Sequence, residues 1–114
     1  MIARNVTRDR LLGSAIRRAE TFAARSRGLL GRGPLREGEG VWICPCRGIH
    51  SIGMRFPFDA LFVDAGMRVV ASYRTFPRNR LSRYHRDARG VLELPAGVIE
   101  RSGTEVGDLL EFPD

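Results

Sequence analysis

Lysine is absent from this chain: all 19 basic residues are arginine, set against 13 carboxylates, for a formal net charge of +6. Arginine favours planar, two-pronged contact with phosphate or carboxylate. Codon usage in a GC-rich genome explains the same bias, so the excess charge by itself argues only for general attraction to acidic partners. Cysteine is scarce, with 2 in 114 residues, which excludes a disulfide-built scaffold and points to thiols. No apolar run approaches the roughly 20 residues of a membrane span, and Met1-Ile2-Ala3-Arg4-Asn5 lacks the order of a signal peptide. The expectation is a cytoplasmic protein with no membrane contact.

What is present is ordinary for a globular chain, at 43% hydrophobic and 28% charged residues. One domain over residues 1–114 is expected. Ile2 and Val6 flank a first strand, Thr7-Arg8-Asp9-Arg10 turns, and a second strand begins at Leu11, with Gly13 marking a bulge. Residues 21–30 change period: Phe22, Ala23, Leu29 and Leu30 share a helical face, Thr21 caps the start and Gly31 ends it. Gly31–Gly40 reads as a loop. Strands are expected at 41–43, 49–54, 60–63, 67–73, 91–94 and 109–112, with a basic loop over 74–90 and a short helical turn after Gly97. The pattern predicts a mainly β, β-rich α+β fold: a compact barrel-like antiparallel or mixed sheet of about seven short strands with one main helix packed on it.

The chemistry concentrates in Trp42–Val63, where two thiols, an imidazole, a guanidinium and a carboxylate sit between strand-like runs. Buried polar groups need a partner inside the protein or a ligand. Cys44, Cys46 and His50 give a C-x-C-x3-H spacing that suits zinc, with His85 or Asp59 to complete the set. No second ligand pair follows, so no metal or other cofactor is assigned, and burial as small apolar residues is the preferred reading of the thiols. If 49–54 is a strand, His50, Ile52 and Met54 share an inward face, and Asp59 shares a face with Leu61 and Val63. His50 and Asp59 then form an acid–base pair, or hold a ligand with Arg55, or lock a turn as a buried ion pair.

A third cluster lies in residues 73–89, where Arg74, Arg78, Arg80, Arg83, Arg86 and Arg89 alternate with Tyr73, Phe76, Tyr84 and His85. Arginines interleaved with aromatics can track phosphates while stacking bases. No nucleic-acid motif frames them, and the alternative is a solvated loop whose aromatics cover a sheet edge.

Six blocks in order carry a resemblance. They are Thr21 with Arg25-Ser26-Arg27-Gly28-Leu29-Leu30; Gly38–Ile43; Cys46 with Ile49–Asp59; Asp64–Val70; Val91–Gly97; and Gly103 with Val106-Gly107-Asp108. In these the chain resembles the DUF192 family, a widespread domain of unknown function. The resemblance implies a compact β-rich fold, some members being secreted and others without a signal peptide, and brings no catalytic residues. Cys44 departs from the pattern, which Cys46 fits.

The reading is a small module that binds a ligand or protein partner through the His50–Asp59 edge, with His50, Met54, Arg55, Asp59 and Cys46 as ligand candidates. Arg78, Arg80, Arg83 and Arg86 are the anion-binding candidates. The alternatives are an enzyme using His50 and Asp59 as acid and base on a small anionic substrate, and a nucleic-acid accessory protein acting through residues 73–89.

Overall fold

Six consecutive buried residues, Phe58–Val63, form a run too short for a helix and apolar on both alternating faces except at Asp59. In the computed structural model, which describes residues 1–19 and 34–113, this run lies next to the centre of a five-stranded sheet. The first sheet contains β1 (Ala3–Asn5), β2 (Arg10–Gly13) and β8 (Leu110–Glu111), in the order β2-β1-β8. The larger sheet contains β3 (Ala15–Ala19), β4 (Glu39–Ile43), β5 (Phe58–Val63), β6 (Val69–Phe76) and β7 (Gly90–Pro95), in the order β3-β4-β7-β5-β6. Among the described residues only β3 and β4 run parallel; the remaining pairs are antiparallel.

Alternation along the central strands builds a core on each face. Val41, Ile43, Phe58, Ala60, Phe62 and Val91 face one cluster, which Met54, Phe56 and Phe76 complete. Ile16, Trp42, Leu61, Val63, Leu92 and Leu94 face the other, with Val98 and Ile99 of the short helix α1 (Val98–Ser102) packed on it. Strands β4 and β7 approach closely at Gly90, where a Cβ would meet the Trp42 ring at 2.6 Å and the Ile43 carbonyl at 2.9 Å. Glycine is required there for space.

The mainly β, α+β class stands, but the sheets do not close into a barrel. The edges of the large sheet, β3 and β6, are not paired with each other. At β3 the N-terminal residue takes the place of a neighbour: the Met1 ammonium donates to the Ile16 carbonyl at 2.8 Å, and the Ile16 amide to the Met1 carbonyl. At β6, Val69 and Gly107 exchange with Asp108 and Val69 through backbone bonds, and Arg68 bridges Leu109. Both edges are thus met by neighbouring chain, not by one another. The bulge expected at Gly13 is found, as a register shift between Ala3 and Arg4 opposite residues 11–13. The helix expected over 21–30 lies outside the described residues. Residues 49–54 form no strand; they contribute a single bridge, His50 to Leu81.

Candidate functional site

Cys44-Pro45-Cys46-Arg47-Gly48 leaves β4 through a cis Cys44–Pro45 peptide and cannot continue the ladder, since proline has no N–H to give. The chain that follows instead pairs with the loop leaving β6. The Cys46 amide donates to the Arg89 carbonyl, His85 to Arg47, Ser82 to Ile49, Ser51 to Arg80 and Asn79 to Ser51. Side chains fill the gaps: Ser82 Oγ accepts from the Ile49 amide at 2.9 Å, Ser51 Oγ from the Arg80 amide at 3.0 Å, and Arg47 Nε donates to the Ala88 carbonyl at 3.1 Å. Two irregular loops so become a stitched ribbon over residues 46–54 and 77–89. Ile49, Met54 and Phe56 seat it on the core face that also holds Phe58 and Phe62.

The outward side of this ribbon is unusual in two ways. Leu81 is 72% exposed, Tyr84 69% and Ile52 55%, half of the exposed large apolar side chains among the described residues, the others being Val6, Leu11 and Val106. His50 and Leu81 are bridge partners, which puts their exposed side chains beside each other. The charge is also one-sided. Residues 44–58 and 74–89 contain eight arginines and one carboxylate, Asp87. The ion pairs among the described residues lie elsewhere: Arg4 with Asp9, and Arg8 with Glu105 and Asp108.

Asp59 has a different role from His50. It is fully buried, its Oδ1 accepts the Thr75 amide at 2.7 Å, and its Oδ2 accepts the amides of Gly97 at 3.1 Å and Ile99 at 2.8 Å. Gly97 takes a left-handed φ of 103° and has no capping side chain, so this carboxylate caps α1 from a neighbouring strand. By alternation Asp59 lies on the α1 face, whereas the ribbon carrying His50 packs on the opposite face. The two residues expected to converge are therefore not brought together. Met54 is buried, as expected, but His50 and Ile52 are exposed and not inward, because 49–54 is a loop without strand alternation. Arg55, Arg78, Arg80, Arg83 and Arg86 are all exposed.

The cysteines also diverge. Cys44 packs at the margin of the α1-side core and Cys46 at the margin of the other, its Sγ donating to the Gly48 carbonyl at 3.1 Å. Neither is in a disulfide. Among the described residues no three His, Cys, Asp or Glu side chains are grouped to hold a metal ion. Of the aromatics expected to stack bases, Phe76 is buried, Tyr73 packs edge-on against Phe62 and Phe76, and His85 lies tilted on Phe62. The Tyr73 hydroxyl lies 2.6 Å from His85 Nε2. Burial holds the His85 imidazole below its ordinary value, and the Arg83 charge pushes the same way.

Two polar features were not singled out from the sequence. Glu93 sits mid-way along β7, only 3% exposed, between Val41 and Ala60, and its Oε1 has no hydrogen-bond partner. Burial alone pushes its carboxyl up to about 8. The signal was a single acid inside the apolar run Val91-Leu92-Glu93-Leu94. Distant from it, Asp108 accepts from Asn5 at 3.0 Å, Arg8 Nε at 2.7 Å and the Glu105 amide at 3.0 Å. Burial raises the Asp108 carboxyl, but those hydrogen bonds outweigh it and hold the group at about 2. No sequence spacing links residues 5, 8 and 108.

Among the described residues these features define a two-sheet α+β fold with an exposed, arginine-rich ribbon on it. The chain belongs to the DUF192 family, described as "Uncharacterized ACR", which matches residues 4–112. A UPF0127 protein of Pyrococcus furiosus is 30% identical over 118 residues, covering 95% of each chain. A UPF0127 protein of Thermococcus gammatolerans is 29% identical over 113 residues, covering 95% of this chain and 72% of that one. Among solved structures, a protein of unknown function from Novosphingobium aromaticivorans superposes with a TM-score of 0.84 at 23% identity, covering 97% of this chain and 83% of that one. A proposed transcription regulator of Sinorhizobium meliloti gives 0.80 at 22%, covering 96% and 91%. At these identities the structural likenesses speak to the fold. Among the described residues no helix is long and apolar enough to cross a membrane.

Proposed function

We propose that this chain is a binding module, without chemistry of its own, that docks an acidic protein surface on the ribbon of residues 46–54 and 77–89. The observation that carries this is the coincidence of exposed Ile52, Leu81 and Tyr84 with six ribbon arginines, Arg47, Arg78, Arg80, Arg83, Arg86 and Arg89, none of which is in an ion pair among the described residues. Apolar anchors rimmed by arginine are the composition of protein interfaces, and complementary charge would speed encounter and reject basic surfaces. His50 belongs to this face beside Leu81, and Asp59 holds the frame beneath α1. Acid–base catalysis by the two finds no support in a carboxylate that is buried and tied to three amides.

Single-strand nucleic acid is the rival occupant, since arginines track phosphates, and the Sinorhizobium likeness bears a regulator's name. The burial of Phe76 and half-burial of Tyr73 leave Tyr84 as the exposed ring of that loop, which favours a protein. Binding of a Glu/Leu-rich amphipathic peptide and of a single-stranded oligonucleotide, each followed by amide-resolved NMR, separates them. The docking reading expects the peptide to shift ribbon amides, with Leu81→Ser and the Arg80→Ala/Arg83→Ala pair each weakening it about tenfold or more. Tighter oligonucleotide binding, steep in salt and indifferent to Leu81→Ser, would overturn it.

A further inference from the structure

A concavity of about 610 Å³ opens where the Cys44–Arg47 corner meets Asp87–Arg89, with Ala65 on its far wall. That volume falls within the roughly 300–1,000 Å³ of small-molecule sites. Its charged lining consists of Arg47, Arg89 and Asp87. Opposite charges sharing one hollow ordinarily pair. Here neither Arg89 nor Asp87 forms an ion pair or a side-chain hydrogen bond among the described residues. Arg47 is held back by the Ala88 carbonyl at 3.1 Å and the Tyr84 hydroxyl at 3.4 Å, so its guanidinium is already oriented. The backbone beneath is fixed, since the Arg89 amide donates to Val63 and its carbonyl accepts from Cys46.

The geometry points to a site for a small zwitterion: a carboxylate or phosphate held by Arg47 and Arg89, an ammonium held by Asp87, and an apolar body against Pro45, Ala65 and Cys44. Guanidinium groups grip such oxyanions with paired charge-assisted bonds. Two cations and one anion, standing apart in one cleft, match a ligand with charges of both signs better than a simple anion. The cavity shares Arg47, Asp87 and Arg89 with one end of the docking ribbon, but it does not rest on that reading: its test is read at residues 44–47, 65 and 87–89, and the docking test at Leu81, Arg80 and Arg83.

An NMR titration of the full chain tests it, using O-phosphoethanolamine, which carries phosphate and ammonium, beside ethyl phosphate, which carries phosphate alone. Saturable shifts confined to amides of residues 44–47, 65 and 87–89 are expected at up to about 10 mM probe, a range that captures a millimolar Kd. O-Phosphoethanolamine should bind about fivefold tighter than ethyl phosphate, the gain of one exposed ion pair. Arg89→Ala and, separately, Arg47→Ala should weaken both probes several-fold. Asp87→Asn should erase the preference and leave ethyl phosphate binding unchanged. Arg47, Asp87 and Arg89 are exposed, so the variants are expected to keep the folded amide spectrum, which the same experiment reads. Absence of saturable shifts at these amides, or equal affinity for the two probes, would overturn the assignment.

Discussion

Glu93→Gln is the perturbation with the largest calculable consequence. In the unfolded chain the Glu93 carboxyl titrates near 4.5, and in the folded protein burial moves it to about 8. Between those values the native state holds a proton that the unfolded state has lost. Stability therefore falls as pH rises, by about 1.4 kcal/mol per pH unit, and is fully present only below the unfolded value. Across the window this amounts to ~5 kcal/mol, a large part of the roughly 5–15 kcal/mol that holds a domain of this kind together. Glutamine has nearly the same shape and cannot titrate. Urea unfolding followed by the fluorescence of Trp42, the sole tryptophan, should be run on both proteins from pH 4 to pH 9. The wild-type stability minus that of the variant should decline steadily between pH 4.5 and about 8 and level off beyond. His85 acts in the opposite sense: with a lowered value in the fold, its contribution is lost as pH falls below its unfolded 6.5. It is common to both proteins and cancels in the difference. A difference that stays constant within about 0.5 kcal/mol over the whole range would refute the reasoning, since such a carboxyl would have to titrate alike in both states.

Removal of the Asp59 carboxylate by Asp59→Ala leaves three backbone amides without their acceptor and should lower the unfolding free energy by about 3–5 kcal/mol. A loss below about 1 kcal/mol in urea would show that water replaces it, contrary to a capping role for α1. Asp108 acts at the acid end: its lowered value means stability present above 3.8 and lost as pH falls towards 2. Asp108→Asn should flatten the acid limb of a circular-dichroism pH titration, and an unchanged limb would count against the Asn5–Arg8–Asp108 network. Gly90→Ala places a methyl 2.6 Å from the Trp42 ring, so a melting-temperature drop worth about 1–3 kcal/mol and a shifted Trp42 emission are expected. Wild-type emission in that variant would mean that the strands part without moving the indole.

The strands were legible in the sequence because burial imposes a period on them. Phe58–Val63 and Gly90–Pro95 fall where continuous apolar runs placed strands, and Gly13 marks a real register shift. What failed did so for a common reason. Ile52 and Met54 alternate with His50 in strand fashion without being a strand, because Ser51, Ser82 and Arg80 satisfy that backbone through loop and side-chain bonds. Once alternation is lost, the face assigned to His50 no longer follows. Asp59 looked like chemistry because a carboxylate in an apolar run needs partners. Its partners are amides near residues 75 and 97–99, whose proximity depends on tertiary packing that local pattern does not encode. Closure of the sheet was equally out of reach, since it depends on what meets β3 and β6.

The distribution of arginine then separates frame from face. At Arg4 and Arg8 guanidinium groups meet carboxylates, and Arg8 joins Asn5, Thr104 and Asp108 in a network that ties the small sheet to the turn before β8. On the ribbon the same side chain meets solvent, though Asp87 is within the same stretch of chain. Codon usage can set how many arginines a chain has, but it is blind to which of them find partners in the fold. Unpaired like charges packed on two stitched loops repel one another, and that repulsion diminishes stability unless something of opposite sign arrives. A selective loss of ribbon protection in amide exchange at low salt, reversed by an acidic ligand, follows from this and from nothing in the frame. Equal protection at low and high salt would mean that the six ribbon guanidinium groups are too well hydrated to feel one another.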